Sequence, residues 1–421
     1  MAITNIQPRI AYVSTYPPRA CGIATYTRDL SRALMLRGQI AQNLILPIES
    51  DAAPDCQENS HTIAQHKRES YLSAAAFLNE SDSDVVSLQH EFGIFGGEYG
   101  EYVLDLCRNL EIPLVTTFHT VLRDPPGNVK QIVKEISVIS SKVVVTIESA
   151  AKILAKHFDV DPEKIVVIPH GVALPDCVRR GYAKRQLGLR GRTVLATHGL
   201  ISSGKGIEFA IESLPYLVKE RPNLLYLIIG KTHPEIQKYE GEVYRYKLIA
   251  LTEKLGVTRN VRFVNYYLRD DDLSWLIQAI DIYIAPYLDK DQVSSGTLTL
   301  ALAHGKAVIS TPTIFAREVL GKKRGVLCKF SNAQSIADCV KRILRAPVLR
   351  HDLETNASIY GKEVGWTRVA DQYGAVFRLA MRAERVVTES AIIGETTDES
   401  RRSAHTKLRT MIPVDLSLTG K

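Results

Sequence analysis

The sequence predicts an α/β protein made of two doubly wound parallel-sheet domains, Rossmann-like, facing each other across a cleft. Short, near-continuous apolar runs alternate with longer segments of helical period, the pattern of parallel strands covered on both faces. The rhythm runs twice along the chain, with about five or six strands in each half. The length, 421 residues, suits two domains better than one very large sheet.

In the first half, strands are expected at Arg9–Val13, Asn43–Ile48, Val85–Gln89, Leu114–Phe118, Val143–Ile147 and Ile165–Ile168, with helices such as Ala24–Arg37 and Tyr99–Leu110. In the second half, strands are expected at Thr193–His198, Leu225–Ile229, Val261–Val264, Ile282–Ala285 and Ala307–Ser310. Helices are expected there at Ile207–Glu220, Val243–Lys254, Leu273–Ala279 and Thr297–His304. Proline, glycine and a change of pattern in Ala173–Tyr182 place the boundary, giving domains at 1–175 and 176–364. Thr367–Arg382 carries apolar Val369, Tyr373, Val376 and Leu379 at helical spacing. Residues 386–421 are rich in Ser, Thr and alternating charge, and a disordered tail is expected there.

Composition narrows the class. Hydrophobic residues make up 45% and charged residues 24%, as in a soluble globular protein, which excludes collagen, a coiled-coil rod and a wholly disordered chain. The net charge of +7 permits an anionic ligand or membrane surface without requiring one. Six cysteines stand singly, with no zinc spacing, which favours reduced thiols over disulfides. The N-terminus lacks the basic and apolar blocks of a signal peptide, and no apolar run nears the roughly 20 residues that span a bilayer. A cytoplasmic protein, at most peripheral at the inner membrane face, is expected. No basic stripe with interleaved aromatics points to nucleic acid.

Ligands of open α/β sheets bind beyond the carboxyl ends of the strands, so the residues after each strand carry the site. After Val13, the segment STYPPRACGIATY brings Gly22 to the start of a helix, where free N–H groups suit an anion. Three histidines end strands: His90 (with Glu91 beside it), His119 and His170. A satisfied core histidine is the plainer account of any one of them, but less so of all three. After His198, GLISSGKGIE sets Gly204 and Lys205 on a Gly-rich turn. It approaches a phosphate loop, but Gly206 replaces the hydroxyl residue that would hold Mg²⁺, so a P-loop NTPase is disfavoured. Ser294, Ser295, Gly296 and Thr297 open an apolar helix whose first N–H groups suit negative charge. Asp270–Asp272 read as helix-start residues, and no metal is assigned.

Taken in order, these segments resemble the GT-B glycosyltransferases of family 4 (glycosyl transferases group 1), over about Arg9 to Phe377. The matching segments are AYVSTYPPRACGIATY, TTFHTV, IPHGV (often IPNGV in the family), GLISSGKG (for GRLxxxKG) and ALAHGKAVI (for AMAxGxPVI). Glu318 and Trp366 match a following Glu and a Trp before the last helix. The resemblance implies a last helix, 365–385, that crosses back to the N-terminal domain. It implies a nucleotide sugar bound by the C-terminal domain, an acceptor shaped by the N-terminal one, retention of anomeric configuration, and no metal or other cofactor.

Two departures stand out. Leu200 replaces the family's Arg, and the family's two glutamates align with Gln292 and Leu300. The resemblance implies catalytic roles for His119, Lys205 and Gln292. It implies donor contacts from Gly22, Gly204, Ser294–Thr297 and Glu318, with His90, Glu91 and His170 on the acceptor side. The expected activity moves a mannosyl or glucosyl group from a nucleotide-diphosphate sugar to a saccharide, lipid-linked sugar or polyol. Leu200 and Leu300 keep open a non-catalytic sugar- or nucleotide-binding protein on the same fold.

Overall fold

The computed structural model describes residues 7–50, 61–176, 178–266 and 268–394, with side chains followed to 382. Two parallel sheets organise the chain. The first contains β1 (Arg9–Ser14), β2 (Gln42–Glu49), β3 (Ile63–Ala64), β4 (Val85–His90), β5 (Leu114–Phe118), β6 (Lys142–Val145) and β7 (Ile165–Val167), in the order β3-β2-β1-β4-β5-β6-β7. The second contains β8 (Thr193–His198), β9 (Leu224–Ile229), β10 (Val261–Val264), β11 (Ile282–Ala285), β12 (Ala307–Ser310) and β13 (Gly325–Leu327), in the order β10-β9-β8-β11-β12-β13. Every residue of β4, β9, β11 and β12 is buried, which is why these runs read as continuous apolar stretches.

The strand order reverses between β1 and β4 and again between β8 and β11, so each sheet opens a crevice at the carboxyl ends of those strands. The apolar pattern did not reveal β3 and β13, which have two and three residues and are too short to show a period. The expected Tyr99–Leu110 helix is also broken: Gly97 and Gly100 take φ of 83° and 80°, and a regular helix spans only Val103–Asn109. Asp270–Asp272 do form the first turn of a helix, Asp270–Gln278, where their charge opposes the dipole.

The chain crosses between the domains twice, and the two crossings are bonded to each other. Val172 N donates to Val364 O and Trp366 N donates to Val172 O, both at 3.1 Å. Val172, Ala303 and Val364 form a small apolar cluster at this junction, with Leu300 and Tyr360 packed against it. The helix Trp366–Gly394 then returns to the first sheet. Its Val369, Ala370, Tyr373, Val376 and Phe377 pack with Tyr12, Val115 and Val144 and with Tyr26 and Leu30 of the first helix, Gly22–Leu36. Tyr373 ties three elements together, its hydroxyl lying 2.8 Å from that of Tyr26 and 3.0 Å from Thr117 Oγ1.

Leu379, expected on this apolar face, is 54% exposed instead. The helix also runs on past the expected end at 385 to Gly394, and 395–421 lie outside the described residues. Cys21, Cys107, Cys328 and Cys339 are free thiols, while Cys56 and Cys177 lie outside the described residues. Among the described residues no helix is long and apolar enough to cross a membrane.

Candidate functional site

The floor of the first crevice is an aromatic and imidazole cluster. His119 follows β5 directly and is only 6% exposed. Gln89 Nε2 donates to Ser87 Oγ at 3.0 Å, so Gln89 Oε1 faces His119 Nε2 at 3.0 Å as an acceptor. Nε2 therefore carries the proton, and Nδ1 keeps a lone pair for an incoming hydroxyl. Burial, then His170 and His90, lower the His119 pKa to about 3, so the ring is neutral at physiological pH.

Tyr26 contacts three rings, those of His119 at 4.8 Å, His170 at 5.0 Å and Trp366 at 5.3 Å, each in an edge-on or near edge-on arrangement. Tyr26 was not singled out from the sequence, because its partners lie far away in the chain. His170 Nδ1 lies 2.8 Å from Gly171 O and donates to it, leaving Nε2 as an acceptor. Across the cleft, a Cβ added to Gly296 would stand 3.0 Å from His170 Nε2, so glycine there lets the two domains approach. A Cβ at Gly171 would stand 2.2 Å from the Trp366 ring. The His-Gly pair of IPHGV is thus fixed by packing on both sides.

His90 does not reach the cleft, a correction to its acceptor-side expectation. It is fully buried at the end of β4, stacked on Phe95 at 5.5 Å and edge-on to Phe92 at 5.0 Å and Phe118 at 5.1 Å. Neither ring nitrogen has a hydrogen-bond partner, and burial lowers its pKa to about 3. The unfolded chain takes up a proton near pH 6.5 that the folded chain refuses until about 3, so His90 costs stability as pH falls through that window. His90→Phe is therefore expected to reduce the loss of stability between pH 6 and 4 by about 1 kcal/mol per pH unit. Urea unfolding at pH 7 and pH 5 measures this, and an unchanged difference between the two pH values contradicts it.

Glu91 follows His90 and caps the short 3₁₀ turn after β4. Its carboxylate accepts from Thr120 Oγ1 at 2.6 Å and Phe92 N at 3.0 Å, while burial raises its pKa against those bonds and Asp289 adds repulsion.

The second crevice gathers the Gly-rich turn and the Ser-Ser-Gly-Thr helix start. Gly199 and Gly230 both have φ of +136°, and a Cβ at Gly230 would lie 2.0 Å from Gly199 O, so these loops pack backbone to backbone. A Cβ at Gly206 (φ +61°) would lie 2.1 Å from Pro286 O, which makes glycine obligatory where the turn meets the next helix. Lys205 Nζ sits over the Tyr287 ring, 4.5 Å from its centre. The Tyr287 hydroxyl is 2.5 Å from Thr297 Oγ1, and Ser295 Oγ accepts from Leu298 N at 3.3 Å to cap the helix Gly296–Ala303. Lys205, Ser295, Gly296 and Thr297 are thereby brought together, with Tyr287 as the link. The motifs did not show Tyr287 because it acts through two other segments. Gly22 and Gly204 face open space, with no atom within 4 Å of an added Cβ.

Gln292 holds its backbone carbonyl to Phe315 N at 2.9 Å, while its side-chain Oε1 is buried without a partner. An orphaned acceptor of this kind is costly unless a ligand satisfies it. Ser294 lies half-buried between Gln292 and the cap. Leu300 packs into the domain junction, which gives its side chain a structural task in place of the glutamate's.

Glu318 does not point to a donor. Its carboxylate accepts from Glu148 N, Ser149 N and Ser149 Oγ at 2.9, 2.9 and 2.6 Å, capping the first turn of the helix Glu148–His157 in the other domain. This corrects its expected donor role, because a carboxylate at a helix N-terminus has its acceptors engaged. Thr146 Oγ1 donating to Val293 O at 2.9 Å and Arg123 Nη2 at 2.6 Å from Asp291 also bridge the domains. Among the described residues no three His, Cys, Asp or Glu side chains gather as a metal site would require. A separate cavity of about 640 Å³, beside β10, is lined by Tyr182, Tyr266, Asp272 and Trp275, and among the described residues by none of the side chains of the two crevices above.

Comparison with known proteins agrees with this two-part geometry. The family profile described as "Glycosyltransferase Family 4" matches residues 20–174, and that described as "Glycosyl transferases group 1" matches 183–359. A D-inositol 3-phosphate glycosyltransferase of Corynebacterium aurimucosum is 26% identical over 72% of this chain and 74% of its own. Sucrose-phosphate synthase of Thermosynechococcus elongatus superimposes with a TM-score of 0.69 at 18% identity, covering 90% of this chain and 100% of its own. Anabaena HepE, solved with UDP and glucose, gives 0.69 at 14% identity over 88% of this chain and 100% of its own. With one profile on each domain and the same architecture in the neighbours, the chain belongs to the GT-B glycosyltransferases of family 4.

Proposed function

We propose that this glycosyltransferase is retaining and metal-independent, and moves a mannosyl or glucosyl group from a nucleotide-diphosphate sugar to a hydroxyl acceptor. The observation that carries the reading is Lys205, held over Tyr287 beside the first turn of the helix Gly296–Ala303. A cation and free N–H groups at one point compensate the charge that grows on a departing diphosphate. His119, through its free Nδ1, and Gln292, through its orphaned Oε1, offer two acceptors for sugar hydroxyls, which supports fixed placement of the anomeric carbon. Retention then needs no protein nucleophile, the leaving phosphate oxygen taking the acceptor's proton. Gly22 and Gly204 supply open backbone on the donor side, and Glu91 and His170 border the acceptor side.

Incubation with GDP-mannose, UDP-glucose and related donors, with saccharide and polyol acceptors, tests the reading. Transfer with an α-linked product from an α-linked donor, unaffected by a chelator, is the expected result. An inverted anomer in the NMR spectrum rules out retention, and loss of activity with EDTA rules out metal independence. Leu200 and Leu300 favour a second reading, a protein that binds the nucleotide sugar without turning it over. Nucleotide binding without transfer across the whole panel selects that one.

A further inference from the structure

Gln292, whose buried Oε1 has no partner, lies on the loop that leads from β11 to the helix Gly296–Ala303. The second domain fixes this loop by its backbone. Leu288 N donates to Gly204 O at 3.0 Å, Ile314 N to Lys290 O at 3.1 Å and Phe315 N to Gln292 O at 2.9 Å. Asp291 N donates to Asp289 Oδ1 at 2.9 Å, which closes the tip of the loop into a local turn.

The first domain takes the same tip by a side chain. Arg123 Nε donates to Asp291 Oδ1 at 2.7 Å, and Arg123 Nη2 lies 2.6 Å from that oxygen. Arg123 stands shortly after His119, on the loop that leaves β5. That loop is anchored at its base, with His119 N donating to His90 O at 3.0 Å and Thr120 Oγ1 to Glu91 Oε2 at 2.6 Å. The ion pair therefore joins the two loops that carry His119 and Gln292, one from each domain. Its side chains are 52% and 35% exposed, so solvent screens the pair and it adds little to folding. Placement of one loop against the other is the task left to it.

We propose that Arg123 and Asp291 are a positioning pair, which holds the Gln292 loop at the spacing from His119 that the donor's sugar requires. Neither residue touches the substrate. The proposal rests on the donor reading above and deepens it: the sugar end of the donor depends on the pair, and the diphosphate end, at Lys205, does not.

Calorimetric titration of the full chain with UDP-glucose and GDP-mannose, each beside its free diphosphate, tests it. Arg123→Ala and Asp291→Asn are each expected to weaken the nucleotide sugar that the wild type binds by about 2- to 5-fold, the scale of one partly exposed ion pair. Affinity for the free diphosphate stays unchanged. The two substitutions together are expected to cost no more than either alone, because both break one contact. The reversed pair, Arg123→Asp with Asp291→Arg, is expected to regain part of the loss, which a merely structural role for either residue does not allow. Unchanged nucleotide-sugar affinity in the single variants overturns the proposal. So does an equal loss for nucleotide sugar and diphosphate, which marks a displaced loop. A loss in Asp291→Asn alone overturns it by assigning Asp291 to the sugar directly, and a reversed pair that regains nothing overturns it as well. A wild type that binds no nucleotide is a different failure: it removes the donor site itself, and this proposal with it.

Discussion

Lys205→Ala lowers kcat/KM for glycosyl transfer by about 10²- to 10³-fold, the usual effect of removing one preorganised group from a developing anion. The loss is expected mainly in kcat, because negative charge on the leaving diphosphate is greatest in the transition state. Stability changes little, since the ammonium is partly exposed and its recorded partner is the Tyr287 ring, a contact worth about 0.5–1 kcal/mol at such sites. Thermal unfolding therefore separates the two effects. Tyr287→Phe is the companion variant: it keeps the ring under Lys205 but removes the hydroxyl that meets Thr297. A smaller kinetic loss is expected there. Turnover by Lys205→Ala at the wild-type rate would show that the ammonium is not at the diphosphate.

Gly171→Ala destabilises the fold by about 1–3 kcal/mol, the range for overpacking a close-packed site. The new methyl would fall 2.2 Å from the Trp366 ring, well inside contact distance. Trp366 has little room to retreat, because its backbone N is bonded to Val172 O and its ring rests against Tyr26. Displacing that ring also disturbs Tyr26, which touches both His119 and His170, so activity falls as well. The double variant with Trp366→Ala checks the cause. If the clash is responsible, Gly171→Ala costs markedly less in that background. An undiminished cost in urea unfolding would place the effect elsewhere.

Most of the fold is legible in the sequence because its signals are local. Leu114–Phe118, Thr193–His198, Val261–Val264, Ile282–Ala285 and Ala307–Ser310 are read to the residue; all but Val261–Val264, where Arg262 is exposed, are largely buried runs. The two-residue β3 escapes, since two residues cannot establish a period. The helix expected from Tyr99 fails because Gly97 and Gly100 bend the backbone within an otherwise apolar pattern. The candidate site is legible only in pieces. Lys205, Ser295 and Thr297 stand at strand-to-helix turns, which sequence can locate. Glu318 and His90 mislead for one reason: what each side chain meets is set by segments distant in the chain, the 148–157 helix for Glu318 and Phe118 for His90.

The sequence alone determined two parallel α/β domains, a Gly-rich turn with a lysine, and a serine-capped helix start. These follow from periodicity, backbone conformation and capping, which act over a few residues. Tertiary structure decided which of these groups meet. It set Lys205 on Tyr287, His119 and His170 around Tyr26, and Glu318 on the opposite domain. Such pairings depend on which strand lies beside which and on how closely two domains approach. Glycines at 171 and 296 permit that approach, and their neighbours are visible only once the chain is folded.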